Sequence, residues 1–346
     1  MSRSALKSWI GLLLSLLFLG LASRDVEWPS VVQSWKEASP GLLLLGTAFL
    51  VASWLVAAVR WRVLLFAVKS LRVRDTFAYI AIGYLANTVL PLRLGDLARA
   101  ALIGRKKNIG ISRSLGSIAI ERLMDVLILV ALTLVLMPVL KIPSPIQKGL
   151  AGMTAVALMA LAGLLAVSLN KAHLPRLAAK LGRVMPRRWA TRILMLLGNF
   201  SSGADVFHRA RGGLAVSGLS AGVWFFAGVG TLLWLKAFHL AVPWHAGFFV
   251  LVVVNLGSAI PSSPGYIGVY HFLAMLALSL WVPDRNATLA YAIGTHALNM
   301  LANVGFGSWF LVREGLSLKG LKTEADETGM ASSGGPSQNE KPVDLP

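Results

Sequence analysis

Residues 87–99 read NTVLPLRLGDLAR and end an apolar run that is otherwise typical of a membrane helix. Pro91 removes a backbone N–H and interrupts the helix. Arg93, Asp96 and Arg99 follow within a few residues. The side of the membrane on which these charges lie decides the path of the whole chain.

The composition indicates a helical membrane protein. Hydrophobic residues make up 56% of the 346 residues and charged residues only 14%, whereas soluble domains average about 25% charged residues. Several apolar runs approach the roughly 20 residues that a helix needs to cross a bilayer. None shows the alternating pattern of about 10 residues that is typical of a membrane β-barrel strand.

The chain is strongly basic, with 33 Lys and Arg against 15 Asp and Glu and a formal charge of +18. The basic residues flank the apolar runs, a pattern that indicates positive-inside topology and attraction to anionic lipids. We expect no nucleic-acid partner, because no recognition fold is visible. With no cysteine, thiol chemistry and Cys-ligated metals are excluded, and we expect neither a metal site nor a cofactor.

Two basic loops determine the predicted topology. Loop 60–75, which includes Arg60, and loop 93–113 are both rich in Lys and Arg, so both should be cytoplasmic. A single crossing cannot join two cytoplasmic loops. We therefore predict a re-entrant hairpin in which 76–90 enters and 94–104 returns. Such backbone is tolerated only where protein or a water-filled cavity surrounds it.

The predicted fold is an all-α polytopic membrane protein with about six spanning helices and one or two re-entrant broken-helix hairpins. The predicted spans are 6–22, 41–60, 114–140, 149–170, 212–235 and 286–312. The pair 246–260 and 266–281 either spans twice or forms a second hairpin that enters from outside, and the shortness of 246–260 favours the hairpin. Residues 1–23 are a first span or a cleaved signal peptide. Both termini then face the cytoplasm of a bacterial inner membrane.

The two hairpin regions share a pattern of helix-breaking residues. In each, an asparagine (Asn87 or Asn255) that can satisfy freed backbone groups precedes the break. The breaks lie at Pro91 and Gly95 in the first region and at Pro261, Pro264, Gly265 and Gly268 in the second. Paired broken helices of opposite topology predict an inverted repeat with a central transport site; chance similarity is the alternative.

Outside these regions the sequence predicts one transmembrane domain and one tail. Residues 1–313 form the domain, in which the basic, amphipathic segment 171–211 rests on the cytoplasmic face. Residues 314–346 are polar and rich in Gly and Ser, so we expect a disordered tail.

Three ionisable residues, Glu121, Arg122 and Asp125, lie inside the predicted span 114–140. Glu121 and Asp125 share a helix face. Ionisable groups at such depth normally face the bundle interior and have partners. One interpretation is a structural salt bridge to Arg122 or to the hairpin arginines. The other is a polar site for a lipid headgroup or a coupling proton.

Arg93 and Arg99 lie where the predicted returning half-helix begins. A helix N-terminus and arginine forks together suit a phosphate. Asp96 offers an alternative, since it can cap the half-helix and pair with Arg99, which makes the hairpin a purely structural anchor.

Two histidines, His271 and His296, also lie in apolar segments. His296, Asn299 and Asn303 share one helical face, so we expect them to line the interior.

Three motifs occur in a fixed order along the chain. They are N-x3-P-x-R-x-G-D-x2-R from Asn87 to Arg99, S-x6-E-R-L-x-D from Ser114 to Asp125, and P-x2-P-G-x2-G from Pro261 to Gly268. Together they resemble the flippase-like transmembrane domain of bacterial lysylphosphatidylglycerol synthases, a family that includes uncharacterised inner-membrane proteins. The similarity covers most of residues 5–313.

The resemblance implies a multi-helix domain that moves lipids or lipid-linked molecules between leaflets. Two positions depart from the family pattern: Tyr266 and His271 stand where many relatives have a glycine and an acid. We therefore do not infer an aminoacyl-lipid substrate. We also expect no lysyl transfer, since a short polar tail, without the soluble aminoacyl-transferase domain, follows the last span.

The predicted function is a lipid flippase or lipid-carrier transporter for a phosphate-bearing lipid, and not an enzyme. Its partners are membrane lipids with anionic headgroups; the oligomeric state is left open. The predicted substrate-binding residues are Asn87, Arg93, Asp96, Arg99, Glu121, Arg122, Asp125 and His271. The alternatives are a transferase acting on a lipid phosphate, with Glu121 or Asp125 as base, and a non-transporting accessory subunit.

Overall fold

A computed structural model of the chain describes residues 3–66, 69–90, 94–140, 210–257, 263–321 and 323, with short pieces between 147 and 159. All regular structure within these residues is helical, which confirms the predicted all-α membrane fold. Several predictions fall outside the described residues: Pro91, Arg93 and Pro261, most of span 149–170, nearly all of segment 171–211, and the tail beyond 323.

The helices follow the apolar runs of the sequence closely. In chain order they are α1 (Arg3–Ser23), α2 (Trp28–Glu37), α3 (Pro40–Leu65), α4 (Val73–Val89), α5 (Gly95–Lys106), α6 (Ile111–Leu136), α7 (Ala210–Ala237), α8 (Ala246–Gly257), α9 (Val269–Leu278) and α10 (Arg285–Arg313), with a 3₁₀ turn at Pro264–Tyr266 before α9.

Within the described residues, two helices are both long and apolar enough to cross a membrane, Pro40–Leu65 and Gly212–Ala237. They pack against each other along their length. Gly46 of α3 and Gly230 of α7 make this close approach possible, because a Cβ on Gly230 would lie 2.9 Å from the Gly46 carbonyl oxygen.

Helices α4 and α5 form a first hairpin. At its open end, Lys107 Nζ lies 3.1 Å from Asp75 Oδ1. At its tip, Asn87 Oδ1 accepts a hydrogen bond of 2.9 Å from the backbone N–H of Gly95. The two helices touch so closely at Gly95 that a Cβ there would overlap the carbonyl oxygen of Gly83. Asn87 thus has the backbone-satisfying role that the sequence suggests.

Helices α8 and α9 form a second, shorter hairpin. Near its open end, the ring of Phe249 packs against Trp281 with centroids 5.7 Å apart. Near its tip, Gly265 and Gly268 have φ angles of +72° and +86°, which glycine adopts without steric strain.

The open ends of the two hairpins lie at opposite ends of the molecule, and their tips lie close together inside it. Their tips are joined through α10, where His296 Nε2 lies 2.7 Å from the Gly265 carbonyl oxygen and Asn303 Nδ2 donates to Thr88 Oγ1 over 3.3 Å. The open end of α4–α5 lies beside Glu314, which accepts a hydrogen bond from Tyr79.

The opposite end of the molecule has its own contacts. The Ser39 N–H donates to the Ala237 carbonyl over 2.8 Å, and the Glu27 N–H donates to Asn286 Oδ1 over 2.9 Å. These bonds join the start of α3 to the end of α7 and the start of α2 to the start of α10.

Two features differ from the sequence analysis. Helix α2, which was not predicted, has only 10 residues, well below the roughly 20 that a membrane span needs. Its apolar residues Trp28, Val31, Val32 and Trp35 recur at helical spacing, and Val31 and Trp35 pack in the core, so a detectable signal was missed. The chain also stays packed past residue 314, the predicted start of the tail, because Leu316 packs against the core and Leu321 is buried.

Candidate functional site

Glu121 of α6 lies at the centre of a buried ion-pair network. Its side chain is 4% exposed, and Oε1 accepts a hydrogen bond of 2.7 Å from Arg99 NH2 of α5. Arg60 NH2 of α3 lies 3.6 Å from the same oxygen. A buried carboxylate is tolerated only when it is paired, so this residue ties three helices together.

Arg60 is a member of this network that the sequence analysis missed. Its guanidinium is buried, with NH1 2.7 Å from Asp125 Oδ1 and 3.1 Å from Ser220 Oγ of α7. The prediction that Arg60 belongs to a cytoplasmic loop is therefore wrong: α3 continues past it to Leu65. A signal for this pairing was present in the sequence, because the predicted span 114–140 contains two carboxylates, Glu121 and Asp125, and each needs a cationic partner.

Arg122 is the exposed member of the network, with 46% of its side chain accessible. It binds Asp96 of α5 with both ends of its fork, NH2–Oδ1 at 2.8 Å and Nε–Oδ2 at 2.9 Å. Its NH1 also donates to Asp125 Oδ2 over 3.2 Å.

The network balances three arginines against three carboxylates. Arg99 completes it by pairing with Asp96 at 3.1 Å, and its guanidinium lies 4.8 Å from the centre of the Trp61 ring. Breaking a buried pair by removing one partner typically costs about 3–5 kcal/mol. The salt bridge that one interpretation expected between Glu121 and a hairpin arginine is therefore present, at Arg99.

A cavity of about 300 Å³, here called the polar cavity, opens beside the network. Charged, amide and aromatic side chains line it, together with hydroxyl and aliphatic ones. The charged ones are Arg60, Glu121, Arg122 and Asp125; the amides are Asn87, Asn255, Asn299 and Asn303; and the aromatic ones include Trp54, Tyr84, Trp224, Tyr266 and Tyr270.

A second cavity of about 210 Å³, here called the apolar cavity, adjoins the polar cavity. Most of its wall is aliphatic or aromatic, with Leu50, Trp234, Val250, Val254 and Leu273 among its residues. The two cavities share part of their lining, including Leu251, Asn255, Tyr270 and Asn299. A polar chamber therefore borders an apolar one inside the membrane fold.

The structure brings together four of the predicted substrate-binding residues at the polar cavity: Asn87, Glu121, Arg122 and Asp125. His296, Asn299 and Asn303 line it as well. Asp96 and Arg99 are not among the lining residues and lie in the ion-pair network, where the Arg99 guanidinium pairs with Glu121 and Asp96. That Arg99 contacts the substrate stays a prediction.

His271 also lies away from both cavities among the described residues. It is buried, its Nδ1 accepts a hydrogen bond of 3.2 Å from the Gly268 N–H, and its ring meets that of His296 edge-on at 4.9 Å. These contacts hold the second break in place. The prediction that His271 contacts the substrate stays a prediction.

Comparison with known proteins yields one curated relative of note. The chain is 24% identical over 351 aligned residues to a protein named glycosyltransferase AglD from Haloferax volcanii. The alignment covers 92% of this chain but only 56% of the relative, so the chain spans little more than half of that protein's length. No solved structure matches the chain.

This relative overturns one prediction. We expected a protein that is not an enzyme, whereas the curated relative is named as a glycosyltransferase and thus points to a transferase.

The family comparison agrees with the three motifs and with the all-helical fold. Residues 8–307 match the family described as lysylphosphatidylglycerol synthase TM region. Since the match covers far more than half of the 346 residues, the chain belongs to this family.

Proposed function

We propose that the chain binds a phosphate-bearing membrane lipid and moves its headgroup between leaflets through the polar cavity. The observation that carries this proposal is the polar cavity adjoining the apolar cavity. A lipid has the same division into a polar headgroup and apolar tails. Ionisable residues inside a membrane domain are costly to keep, and they usually mark a substrate path.

Arg122 is the residue best placed to hold the lipid phosphate. It lines the polar cavity and is half exposed, and its partner Asp96 is 34% exposed. Both side chains are therefore accessible, and a phosphate that displaces Asp96 from Arg122 would leave that carboxylate paired with Arg99. The arginine fork then binds two phosphate oxygens at once. Arg93, predicted for the same role, lies outside the described residues.

The helix lengths support the placement of both hairpins as re-entrant segments. Helices α4, α5, α8 and α9 have 17, 12, 12 and 10 residues. At about 1.5 Å per residue, each is shorter than the roughly 30 Å of a bilayer core. We infer that the headgroup passes between the two tips while the tails stay in the bilayer. The basic end of the molecule would face the cytoplasm.

A second candidate function is transfer of a glycosyl group to or from such a lipid. The similarity to the glycosyltransferase AglD is the observation that favours it. In this case the polar cavity would hold the acceptor lipid, and the headgroup would change in mass. Movement between leaflets would leave the lipid chemically unchanged.

The two functions are separated by reconstituting the purified protein in liposomes with fluorescent phosphatidylglycerol or phosphatidylinositol. Leaflet exchange is followed by quenching the outer leaflet, and the headgroup mass is measured on the extracted lipid. We expect wild type to exchange at least one of the two lipids. Arg122→Gln should lower this rate about tenfold or more, because a hydrogen bond to a charged group contributes about 1.5–3 kcal/mol.

Arg122→Gln is the sharpest variant because it leaves no carboxylate without a partner. Asp96 keeps Arg99, and Asp125 keeps Arg60. Arg113→Gln, at an exposed position on the same helix, is the matched control and should exchange lipid at the wild-type rate. Exchange of neither lipid by wild type, or full activity of folded Arg122→Gln, would contradict the proposal.

A further inference from the structure

Uncharged hydrogen-bonding groups form part of the wall of the polar cavity. Asn299 and Asn303 of α10 and Asn87 of α4 line it. Asn87 Oδ1 and Asn303 Nδ2 already bond to Gly95 and Thr88, so the other polar atom of each of these two amides is the one that can bond to a ligand. Among the described residues, Asn299 makes no side-chain hydrogen bond. A hydroxyl group is both donor and acceptor, so neighbouring hydroxyls on one ring can pair with such amides reciprocally.

Aromatic rings form another part of this wall. Trp54 lies against Tyr84 with centroids 5.0 Å apart, and Tyr270 is stacked on His296 at 4.7 Å. The face of an aromatic ring carries partial negative charge. The C–H groups of a sugar ring are polarised by their oxygens, so they pack favourably on such faces. Amides beside aromatic rings therefore suit a ring that has hydroxyls at its edge and C–H groups on its face.

The charge balance of the network argues against a cationic headgroup beyond the phosphate. All six charged groups are already paired within the network. An ammonium group would have to draw a carboxylate away from a buried arginine, which is costly. An uncharged ligand can hydrogen-bond to these groups and leave the pairs intact.

One acceptor in the network is without a partner. Glu121 Oε2 is buried and accepts no hydrogen bond within the described part of the chain, and Glu121 lines the polar cavity. A buried acceptor without a partner costs free energy that a donor from a ligand would recover. A ligand hydroxyl is a suitable donor, because it brings no charge into the network.

We propose that the polar cavity takes an uncharged, hydroxyl-rich ring, such as a single hexose, linked through phosphate to the lipid. The inference rests on the proposed function and specifies its substrate class. The phosphate lies at Arg122, the ring reaches Asn299 and Glu121, and the tail extends toward the apolar cavity. A volume of about 300 Å³ is at the lower end of the roughly 300–1,000 Å³ of small-molecule sites. This size suits one ring and excludes an oligosaccharide.

The test compares two phosphodiesters of equal charge, methyl geranyl phosphate and hexosyl geranyl phosphate. Binding to the purified full chain in detergent is followed through the tryptophan fluorescence. We expect wild type to bind the hexosyl form at least tenfold more tightly. Asn299→Leu should weaken binding of the hexosyl form about three- to tenfold, the effect of one or two lost hydrogen bonds, and should leave binding of methyl geranyl phosphate unchanged.

A control variant and a replacement variant separate a lost ligand contact from a folding defect. Leu301→Ala, at an exposed position of the same helix, is the control, and Asn303→Leu replaces Asn299→Leu should the latter not fold. Equal affinity of wild type for both probes would overturn the sugar inference and leave the proposed function standing. Binding of neither probe would overturn both. An equal loss of affinity for both probes in Asn299→Leu would overturn the sugar contact.

Discussion

Three arginines of one network have three different roles. Arg60 joins α3 to α6 and α7 through Asp125 and Ser220. Arg99 is sealed between Glu121 and the Trp61 ring. Arg122 is half exposed at the cavity. The guanidinium stays charged in every environment, so what distinguishes the three arginines is burial, and Arg122 is the one that we propose as the phosphate contact.

The burial of Arg99 leads to a prediction about stability. Arg99→Met leaves Glu121 with two longer contacts, to Arg60 at 3.6 Å and to Arg122 at 3.9 Å. We expect the free energy of unfolding to fall by about 3–5 kcal/mol, measured by denaturant unfolding in detergent. The double variant Arg99→Met/Glu121→Leu should recover most of this loss, because it removes both charges together.

This double-mutant cycle has a matched control in Arg113→Met, which removes an exposed guanidinium and should change stability by less than about 0.5 kcal/mol. Independent, additive losses for Arg99→Met and Glu121→Leu would contradict the direct pairing of the two residues.

The sequence could predict single residues of the site only where the signal is local. Glu121 and Asp125 stand out because charges inside an apolar run need partners. Arg60 and Arg62 lie two residues apart at the end of another run and cannot be ranked from the sequence. In the structure Arg60 points into the network, whereas Arg62 donates to the Leu71 carbonyl. Arg60 is buried and paired because α6, which carries Asp125, packs beside α3; this contact cannot be read from the sequence.

At the scale of the elements, the α4–α5 pair depends on backbone contact at its tip. Pro91 and Gly95 in the sequence predict that the helix breaks, and the loop charges predict that the chain turns back. The closeness of the pair comes from tertiary packing, since Gly83 and Gly95 face each other. The polar cavity likewise could not be predicted, because its wall draws on helices far apart in the sequence, including α3, α4, α6, α7, α8 and α10.

Gly95→Ala should therefore separate α4 from α5. The new Cβ would overlap the Gly83 carbonyl oxygen and lie 2.6 Å from Asn87 Oδ1. The backbone must shift to relieve this contact, so we expect a loss of at least about 2 kcal/mol of stability and a lower yield of monodisperse protein in size-exclusion chromatography.

The matched control is Gly20→Ala in α1, where a Cβ meets nothing within 4 Å. This variant should be as stable as wild type or up to about 1 kcal/mol more stable, because alanine favours the helix. A Gly95→Ala protein with unchanged stability would show that the hairpin does not need this contact.

At the scale of the whole molecule, the two ends differ in charge. The end that contains the open side of α4–α5 carries Lys69, Arg72, Arg74, Lys106, Lys107 and Arg313 against Asp75 and Glu314. The other end has similar numbers of both signs, with Arg24, Asp25, Glu27, Lys36, Glu37, Lys236, Asp284 and Arg285. Such asymmetry sets the orientation of membrane proteins. We therefore predict that the open side of α4–α5 faces the cytoplasm and that the open side of α8–α9 faces outward.

This orientation can be tested with serine-to-cysteine variants, since the chain has no cysteine that would give background labelling. Ser70 and Ser112 are exposed on either side of the α4–α5 pair, and Ser279 is exposed just after α9. With a membrane-impermeant maleimide on intact bacterial cells, we expect Ser279→Cys to be labelled. Ser70→Cys and Ser112→Cys should react only after the membrane is opened, because a hairpin returns the chain to the side on which it entered. Labelling of Ser112→Cys together with Ser279→Cys, while Ser70→Cys stays protected, would mean that α4 crosses the membrane.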